Sequence, residues 1–207
     1  MAQGKARKFR NRYRNSTTRL PYWDYGNNAA YFVTICTRHM KPYFGCVVDG
    51  EVQLTVIGEA ARACWLAIPD HFPFVTLDAF VIMPNHVHGI VTISKPGEAS
   101  KVPIRPVDQR KAEMPSNAFG PQSQNLASII RGFKVGVTLC ARNLELPFAW
   151  QQRYHDRIIR DAREYFSVRR YIENNPKKVE THRYGKADER KRLRTQHRYA
   201  KQEGTRK

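Results

Sequence analysis

The sequence predicts an α+β domain in which one antiparallel β-sheet of about 4–5 strands carries packed helices. Three observations support this class. The segments follow the order β-β-α-β-β-loop-α-β-α along the chain. Two of the strands are joined by a connection too short for parallel pairing. With 207 residues, of which 41% are hydrophobic, the chain is long enough to bury one core.

The first elements follow from local composition. Residues 30–37, AYFVTICT, are rich in β-branched and aromatic residues and predict a strand. Residues 50–56, GEVQLTV, alternate in polarity and predict a second strand after a turn at Asp49-Gly50. The apolar residues of segment 57–72 recur at helical spacing, and we expect Pro69 to end that helix.

The next two strands are predicted to form a hairpin. Residues 75–83, VTLDAFVIM, and 86–93, HVHGIVTI, are separated by a tight turn at Met83-Pro84-Asn85, so the strands should be antiparallel neighbours. Residues 95–122 follow, with five prolines and two glycines. This composition predicts a long flexible loop.

The last part of the domain should contain two helices with a strand between them. Segment 123–142 has a helical apolar stripe, and Ser123 is the expected N-cap. Residues 148–159, FAWQQRYHDRII, predict a short strand and its exit. Segment 161–175 predicts a helix that opens at Asp161 and is stopped by Pro176.

The charge indicates the kind of partner. The chain has 36 Lys and Arg against 18 Asp and Glu, a net charge of +18 and a pI near 10.1. Such an excess favours binding to nucleic acid, with an anionic membrane surface as the rival interpretation. No apolar run approaches the roughly 20 residues of a membrane span, and no secretory signal is present, so we expect a cytoplasmic protein.

The basic residues are concentrated in two tails outside a domain predicted at 20–180. Residues 1–19 hold seven Lys or Arg and no acid, and residues 181–207 hold ten against three acids. Either the tails are simply solvated, or the first is an arm that grips DNA phosphates. In the second case the contacts would come from Arg7, Lys8, Arg10, Arg12 and Arg14.

Two histidines mark a candidate site in the segment PNHVHGIV. Residues two apart on a strand point the same way, so His86 and His88 share one face and Val87 lies on the other. Both imidazoles could converge on one divalent ion, and Gly89 leaves room for something to approach the backbone. The alternative is that the pair is solvent-facing or hydrogen-bonded to neighbours.

A tyrosine and an asparagine share one face of the last helix. Tyr165, Val168 and Ile172 form its core-facing stripe, with Tyr171 beside that stripe. Asn175 lies one turn after Tyr171 on the same face. By itself this arrangement also fits a rim residue and an ordinary helix terminus.

The motifs MPNHVHGIV and RRYIENNPKK together resemble those of the single-tyrosine HUH transposases. The closer similarity is to the repeat-associated tyrosine transposases, which act on bacterial extragenic palindromes. DYGNNAAYFVTICT at 24–37 and FAWQQRYHDRIIRD at 148–161 also resemble that family's opening strand and the segment before its catalytic helix. The resemblance covers roughly residues 20–180 and implies a ferredoxin- or RRM-like HUH endonuclease core.

The resemblance also implies roles for individual residues. His86 and His88 match the metal-binding histidines, Tyr171 matches the nucleophile, and Asn175 matches a third ligand one turn later. The implied metal is Mg²⁺ or Mn²⁺, because two imidazoles and a hard oxygen suit either ion. The implied reaction is cleavage and transfer of single-stranded or hairpin DNA through a 5′-phosphotyrosine link.

The resemblance leaves several properties open. It implies a bacterial, nucleoid-associated protein that is a monomer or a homodimer. The alternative function is a non-catalytic nucleic-acid-binding domesticated relative, and a third is a zinc hydrolase. A zinc base deaminase would need H-x-E followed by P-C-x-x-C, and the sequence has neither.

Overall fold

The computed structural model describes the backbone of residues 8–9 and 12–13, and residues 20, 23–97 and 123–178 in full. Its elements are β1 (Lys8–Phe9), β2 (Arg12–Tyr13), β3 (Ala29–Cys36), β4 (Gly45–Val48), β5 (Glu51–Leu54), α1 (Val56–Leu66), α2 (Ile68–His71), β6 (Val75–Met83), β7 (His86–Ile93), α3 (Leu126–Asn143), β8 (His155–Ile159) and α4 (Ala162–Glu173).

The main sheet has four strands in the order β6-β7-β3-β8, and every neighbouring pair is antiparallel. The pairs β1–β2 and β4–β5 form separate two-stranded sheets. The predicted α+β class with an antiparallel sheet is therefore confirmed. The sheet places β7, which carries both histidines, next to the central strand β3.

Both predicted hairpin turns are present. Met83 pairs with His86, so only Pro84 and Asn85 connect β6 to β7. Asp49 and Gly50 connect β4 to β5 with φ of 51° and 76°. Positive φ at both central residues is the type I′ geometry that suits a two-residue hairpin.

One face of the main sheet packs against α1 and α3. Alternate residues of the central strand, Val33 among them, are fully buried there with Val87 and Val91 of β7. Trp65 of α1 crosses to the sheet at Gly89, where an added Cβ would lie 2.3 Å from the indole ring. The space that Gly89 leaves is thus filled by Trp65 of the protein itself.

The opposite face of the sheet packs against α4. Its buried residues are fewer: Ile90, Ile159, Val168 and Ile172. Phe32 of β3 packs against this cluster. Since β7 has Val87 in the α1/α3 core and His88 beside Phe32, the predicted alternation of the strand is confirmed.

The expected cap of α3 is wrong. Asn125, not Ser123, is the N-cap, and its side chain accepts a hydrogen bond of 2.9 Å from the backbone of Ser128. The Ser128 hydroxyl in turn accepts from the backbone N–H of Asn125. This reciprocal pair satisfies two helix-end donors, which Ser123 could not do from two residues earlier.

Two prolines that were expected to end helices lie instead in the first turn of the helical segment that follows. The first helix already ends at Leu66, and Pro69 lies in the first turn of α2. Similarly, α4 ends at Glu173, and a further helical turn at 175–178 includes Pro176. Proline fits the first turn of a helix because its missing N–H has no partner there anyway.

Other expectations lie partly outside the described residues. The strand predicted within 148–159 is confined to His155–Ile159, with Trp150 forming an isolated bridge to Thr37. Residues 98–122 of the predicted loop, residues 179–207 and the side chains of the 1–19 arm are not described. Among the residues described, no helix is long and apolar enough to cross a membrane.

Candidate functional site

The two histidines lie next to each other on the α4 face. The strand register pairs His86 with Cys36 and His88 with Thr34. Their ring centroids are 4.5 Å apart with planes at 72°. His88 is only 6% exposed and stacks on Phe32 at 5.4 Å. The predicted common face therefore brings the two rings into contact.

The Nδ1 atom of each ring has its own partner. His86 Nδ1 lies 2.7 Å from Asn85 Oδ1, and the other end of that amide donates to the Met40 carbonyl at 3.3 Å. Since Oδ1 can only accept, His86 carries its proton on Nδ1 and leaves the Nε2 lone pair free. His88 Nδ1 lies 2.9 Å from Thr34 Oγ1. The Thr34 hydroxyl can accept from Nδ1, and in that tautomer Nε2 of His88 is also an acceptor.

Burial lowers the pKa of both imidazoles. The pKa of His86 falls to about 4, because burial penalises the charged ring. The pKa of His88 falls to about 3, through burial first and the neighbouring charge of His86 second, against a hydrogen bond to the Val33 backbone. Both rings are therefore neutral near pH 7, the form that binds metal ions.

Tyr171 of α4 reaches this pair from the neighbouring layer. Its hydroxyl lies 3.4 Å from Nε2 of His88, and its ring stands edge-on to Phe32 at 6.0 Å. The side chain is 40% exposed, and Lys178 Nζ lies 5.4 Å from the ring centroid. The two groups are 83 residues apart in sequence, so the fold alone brings them together.

Tyr165 is oriented away from the histidines and holds α4 to the sheet. Its hydroxyl donates to Asp78 Oδ2 at 2.5 Å, at a β-bulge between Leu77 and Phe80. Burial, followed by this hydrogen bond, raises the pKa of Tyr165 to about 12. Arg169 Nη1 lies 3.7 Å from the same carboxylate. Tyr165 thus helps to set the position of the helix that carries Tyr171.

Asn175 lies just beyond α4 and is 6% exposed. Its side-chain amide makes no hydrogen bond within residues 23–97 and 123–178, so it is not bonded to either histidine. In the same residues, no three His, Cys, Asp or Glu side chains group to hold a metal. A cation here would therefore need an amide or substrate oxygen beside the imidazoles.

The residues present fit a divalent cation of that kind. Two neutral imidazoles present Nε2 lone pairs, and their Nδ1 atoms are held by neighbouring groups, as is usual for metal-binding histidines. The amide of Asn175, one turn after Tyr171, is buried, and its oxygen has no hydrogen-bond partner among the described residues. Two nitrogens and one oxygen, with open positions for substrate, make a catalytic rather than a structural donor set.

Sequence reasoning missed the groups that orient this site. Asn85 and Thr34 hold the imidazoles, Phe32 packs on both His88 and Tyr171, and Asp78 holds Tyr165. Only Asn85 had a usable signal, because it directly precedes His86 at a tight turn. The partners on β3 and β6 depend on strand register, which the sequence does not specify.

A groove lies elsewhere on the described part of the protein. It measures about 580 Å³ on the outer side of α3, and its lining includes Arg131, Lys134, Arg142, Trp150 and Arg153. Neither histidine nor Tyr171 lines it. The chemistry-bearing residues therefore lie outside this groove.

The fold is shared with a DNA-processing enzyme. A solved structure, "Structure of the REP associates tyrosine transposase bound to a REP hairpin", superposes with a TM-score of 0.52 over 80% of this chain and 74% of that one, at 19% identity. At this identity the likeness defines the fold class. It agrees with the fold that the motifs implied.

A sequence relative defines the family. An uncharacterized protein of Haemophilus influenzae is 39% identical over 159 residues, which cover 76% of this chain and 86% of the relative. The chain belongs to the same family as this Haemophilus protein. No family model matches the sequence.

Proposed function

We propose that this protein is a repeat-associated tyrosine transposase: a metal-dependent endonuclease and strand transferase for single-stranded or hairpin DNA. The observation that carries the proposal is the approach of the Tyr171 hydroxyl to Nε2 of His88, beside His86. A phenol next to two neutral imidazoles combines a nucleophile with a cation site. The shared fold and the net charge of +18 support a DNA substrate.

Tyr171 is the proposed nucleophile. Its oxygen forms a bond to the phosphorus, the bond from phosphorus to the 3′-oxygen breaks, and the strand is left with a 5′-phosphotyrosine and a 3′-hydroxyl. The phenol proton leaves to solvent, and the 3′-oxygen takes up a proton from solvent. The reverse attack by a 3′-hydroxyl rejoins a strand without ATP, since the link retains the energy of the phosphodiester.

His86 and His88 would hold Mg²⁺ or Mn²⁺, with Asn175 as the proposed third ligand. When bound, the cation supplies Lewis acidity for the phosphate. At 3.4 Å the contact between Tyr171 and His88 is at the long end of the hydrogen-bond range. It is weak enough for Nε2 to exchange the phenol for another partner. Asn85 and Thr34 keep the rings oriented in both states.

The proposed nucleophile can reach the histidines within one chain. Tyr171 approaches His88 of the same chain, which is compatible with a monomer, and a homodimer is the alternative. Outside the site, the DNA phosphates are proposed to be bound by basic residues of the 1–19 arm: Arg7, Lys8, Arg10, Arg12 and Arg14. If so, removing the arm should lower the salt dependence of binding.

The test is a covalent adduct. Full-length protein is incubated with Mn²⁺ and a hairpin oligonucleotide taken from the DNA beside the gene, labelled at its 3′ end so that the phosphotyrosine fragment is visible on a denaturing gel. We expect an adduct with the wild type and with Tyr165→Phe, and none with Tyr171→Phe, although Tyr171→Phe should still bind the hairpin.

The controls separate the alternatives. His86→Ala and His88→Ala should each abolish the adduct, and Asn175→Ala should reduce it less, because water can replace one oxygen ligand. Tight hairpin binding by the wild type without any adduct would identify a non-catalytic DNA-binding relative. If the adduct disappears in Tyr165→Phe but persists in Tyr171→Phe, Tyr165 is the nucleophile and the assignment of Tyr171 is wrong.

A further inference from the structure

The outer surface of α4 carries an exposed aromatic residue. Phe166 is 64% exposed, more than any other large hydrophobic side chain in the described residues. Its ring contacts the edge of Tyr165 at 6.0 Å and is otherwise outside the core clusters. A single exposed hydrophobe is ordinary. Phe166, however, also lines a groove together with charged side chains.

Phe166 borders a groove of about 310 Å³ between α4 and the edge of the sheet, here called the α4 groove. Small and apolar residues, Ala30, Ile159 and Ala162, line it together with Phe166. The volume is near the lower bound of about 300 Å³ for small-molecule sites. The groove therefore offers a flat aromatic face above an apolar floor, at a size suited to one planar ring.

Two charged side chains line the same groove. Arg160 is exposed and forms no ion pair with any described residue. Asp161 caps α4 by accepting the Glu164 N–H on Oδ1 at 2.7 Å, so that Oδ2 is the oxygen left for another donor. A stacking ring, a cation and a carboxylate correspond to the base, phosphate and base-edge N–H of a nucleotide.

The α4 groove and the proposed nucleophile lie on the same helix. Phe166 precedes Tyr171 by five residues on α4, which is about 7.5 Å along the helix axis and a turn of about 140° around it. Stacked nucleotides are spaced about 3.4 Å along one strand, so the two side chains are at least about two nucleotides apart. A strand that reaches both Tyr171 and Phe166 must therefore pass across α4 as well as along it.

We propose that the α4 groove binds one unpaired nucleotide of the DNA strand, at least about two nucleotides from the phosphate that Tyr171 attacks. The base stacks on Phe166, Arg160 contacts a phosphate, and Asp161 accepts from the base edge. The identity of the strand rests on the proposed function. Cytosine suits Asp161 through its amino group, whereas thymine flanks its one N–H with two carbonyl oxygens that repel a carboxylate.

The experiment measures binding of short single-stranded homopolymers of deoxycytidine and thymidine, of equal length, to full-length protein in EDTA at one high salt concentration. Phe166→Ala should weaken binding of the deoxycytidine strand by roughly 5- to 150-fold, as expected for one lost stacking contact. Phe166→Trp should restore it. Leu66→Ala, which removes another exposed hydrophobic side chain, this one from α1, should leave the affinity unchanged.

Asp161→Asn tests the base-edge contact. Asparagine caps helices as well as aspartate does, so α4 is retained while an N–H donor replaces the carboxylate oxygen. The preference for deoxycytidine over thymidine should then narrow or reverse. Binding within twofold of wild type for Phe166→Ala, or an unchanged preference in Asp161→Asn, would overturn the proposal.

The binding test does not depend on cleavage. If binding depends on Phe166 but no covalent adduct forms, the proposal of a nucleotide groove stands and the proposed nuclease activity is rejected. Adduct formation with no dependence on Phe166 would reject the groove alone. Thermal melting of Phe166→Ala identifies any loss of fold, and in that case Phe166→Trp and Asp161→Asn decide the question.

Discussion

The two faces of the main sheet differ in what their residues do. The face under α1 and α3 is closed by large apolar side chains such as Trp65 and Phe133, whose rings meet edge-on at 5.2 Å. Under α4, the described residues form a smaller cluster of four buried apolar side chains. Around them lie His88, Thr34 and Asp78, all in hydrogen bonds that cross between elements.

The difference shows how one strand can serve stability and chemistry together. In β7, Val87 and Val91 belong to the larger core, while His88, one position away, contacts Tyr171. Successive side chains of a strand point to opposite faces, so one strand can contribute to the core on one side and to the candidate site on the other. Changes on the α1/α3 face should therefore act mainly on folding, and changes on the α4 face mainly on catalysis.

The largest effect should come from Trp65→Ala. Trp65 is fully buried and fills the space over Gly89, so its removal leaves a cavity that the sheet cannot close. We expect a loss of about 3–5 kcal/mol in the free energy of unfolding, measured by urea denaturation. Phe166→Ala, which truncates an exposed aromatic residue on the outer surface of α4, should cost less than about 0.5 kcal/mol. Equal losses would contradict the assignment of Trp65 to the core that stabilises the fold.

A smaller effect is expected for Tyr165→Phe. This change removes the hydrogen bond to Asp78, which is the main polar link between α4 and β6. We expect a loss of about 1–2 kcal/mol in urea denaturation, below the upper range for charged partners because Asp78 is partly exposed. Tyr171→Phe, which loses only a 3.4 Å contact, is the control and should change stability little. A larger loss in that control would indicate that Tyr171 is structural.

The smallest effect should be that of EDTA on folding. If two histidines and one amide hold a catalytic cation, as proposed, such an open site contributes little to the fold. Adding EDTA should stop adduct formation and leave Tm, followed by circular dichroism, unchanged. A cooperative decrease of Tm would show that the α4 face depends on a structural metal.

Much of the fold could be predicted because its signals are local. The alternation of HVHGIVTI gave the face of each β7 residue, and the short turn at Pro84 and Asn85 gave its antiparallel partner. Helix termini were less predictable. Ser123 and Asn125 are both good N-caps, and only the reciprocal bond with Ser128 distinguishes them.

The candidate site was predictable only in part. Periodicity placed His86 and His88 together, but the link to Tyr171 came from resemblance, because the contact spans 83 residues. No pattern in the sequence indicated a role for Asp78, because the β-bulge in which it lies forms only when β6 and β7 pair. Likewise, Gly89 predicted a close approach but not that Trp65 makes it.

The contact between Trp65 and Gly89 has an evolutionary consequence. Trp65 and His88 lie on opposite faces of β7, so this single strand separates the core from the candidate site. A substitution that enlarges the core at this point displaces the backbone that carries the histidine. Among the members of this family, core residues that pack against β7 opposite His88 should therefore vary least in sequence, even though they lie outside the candidate site.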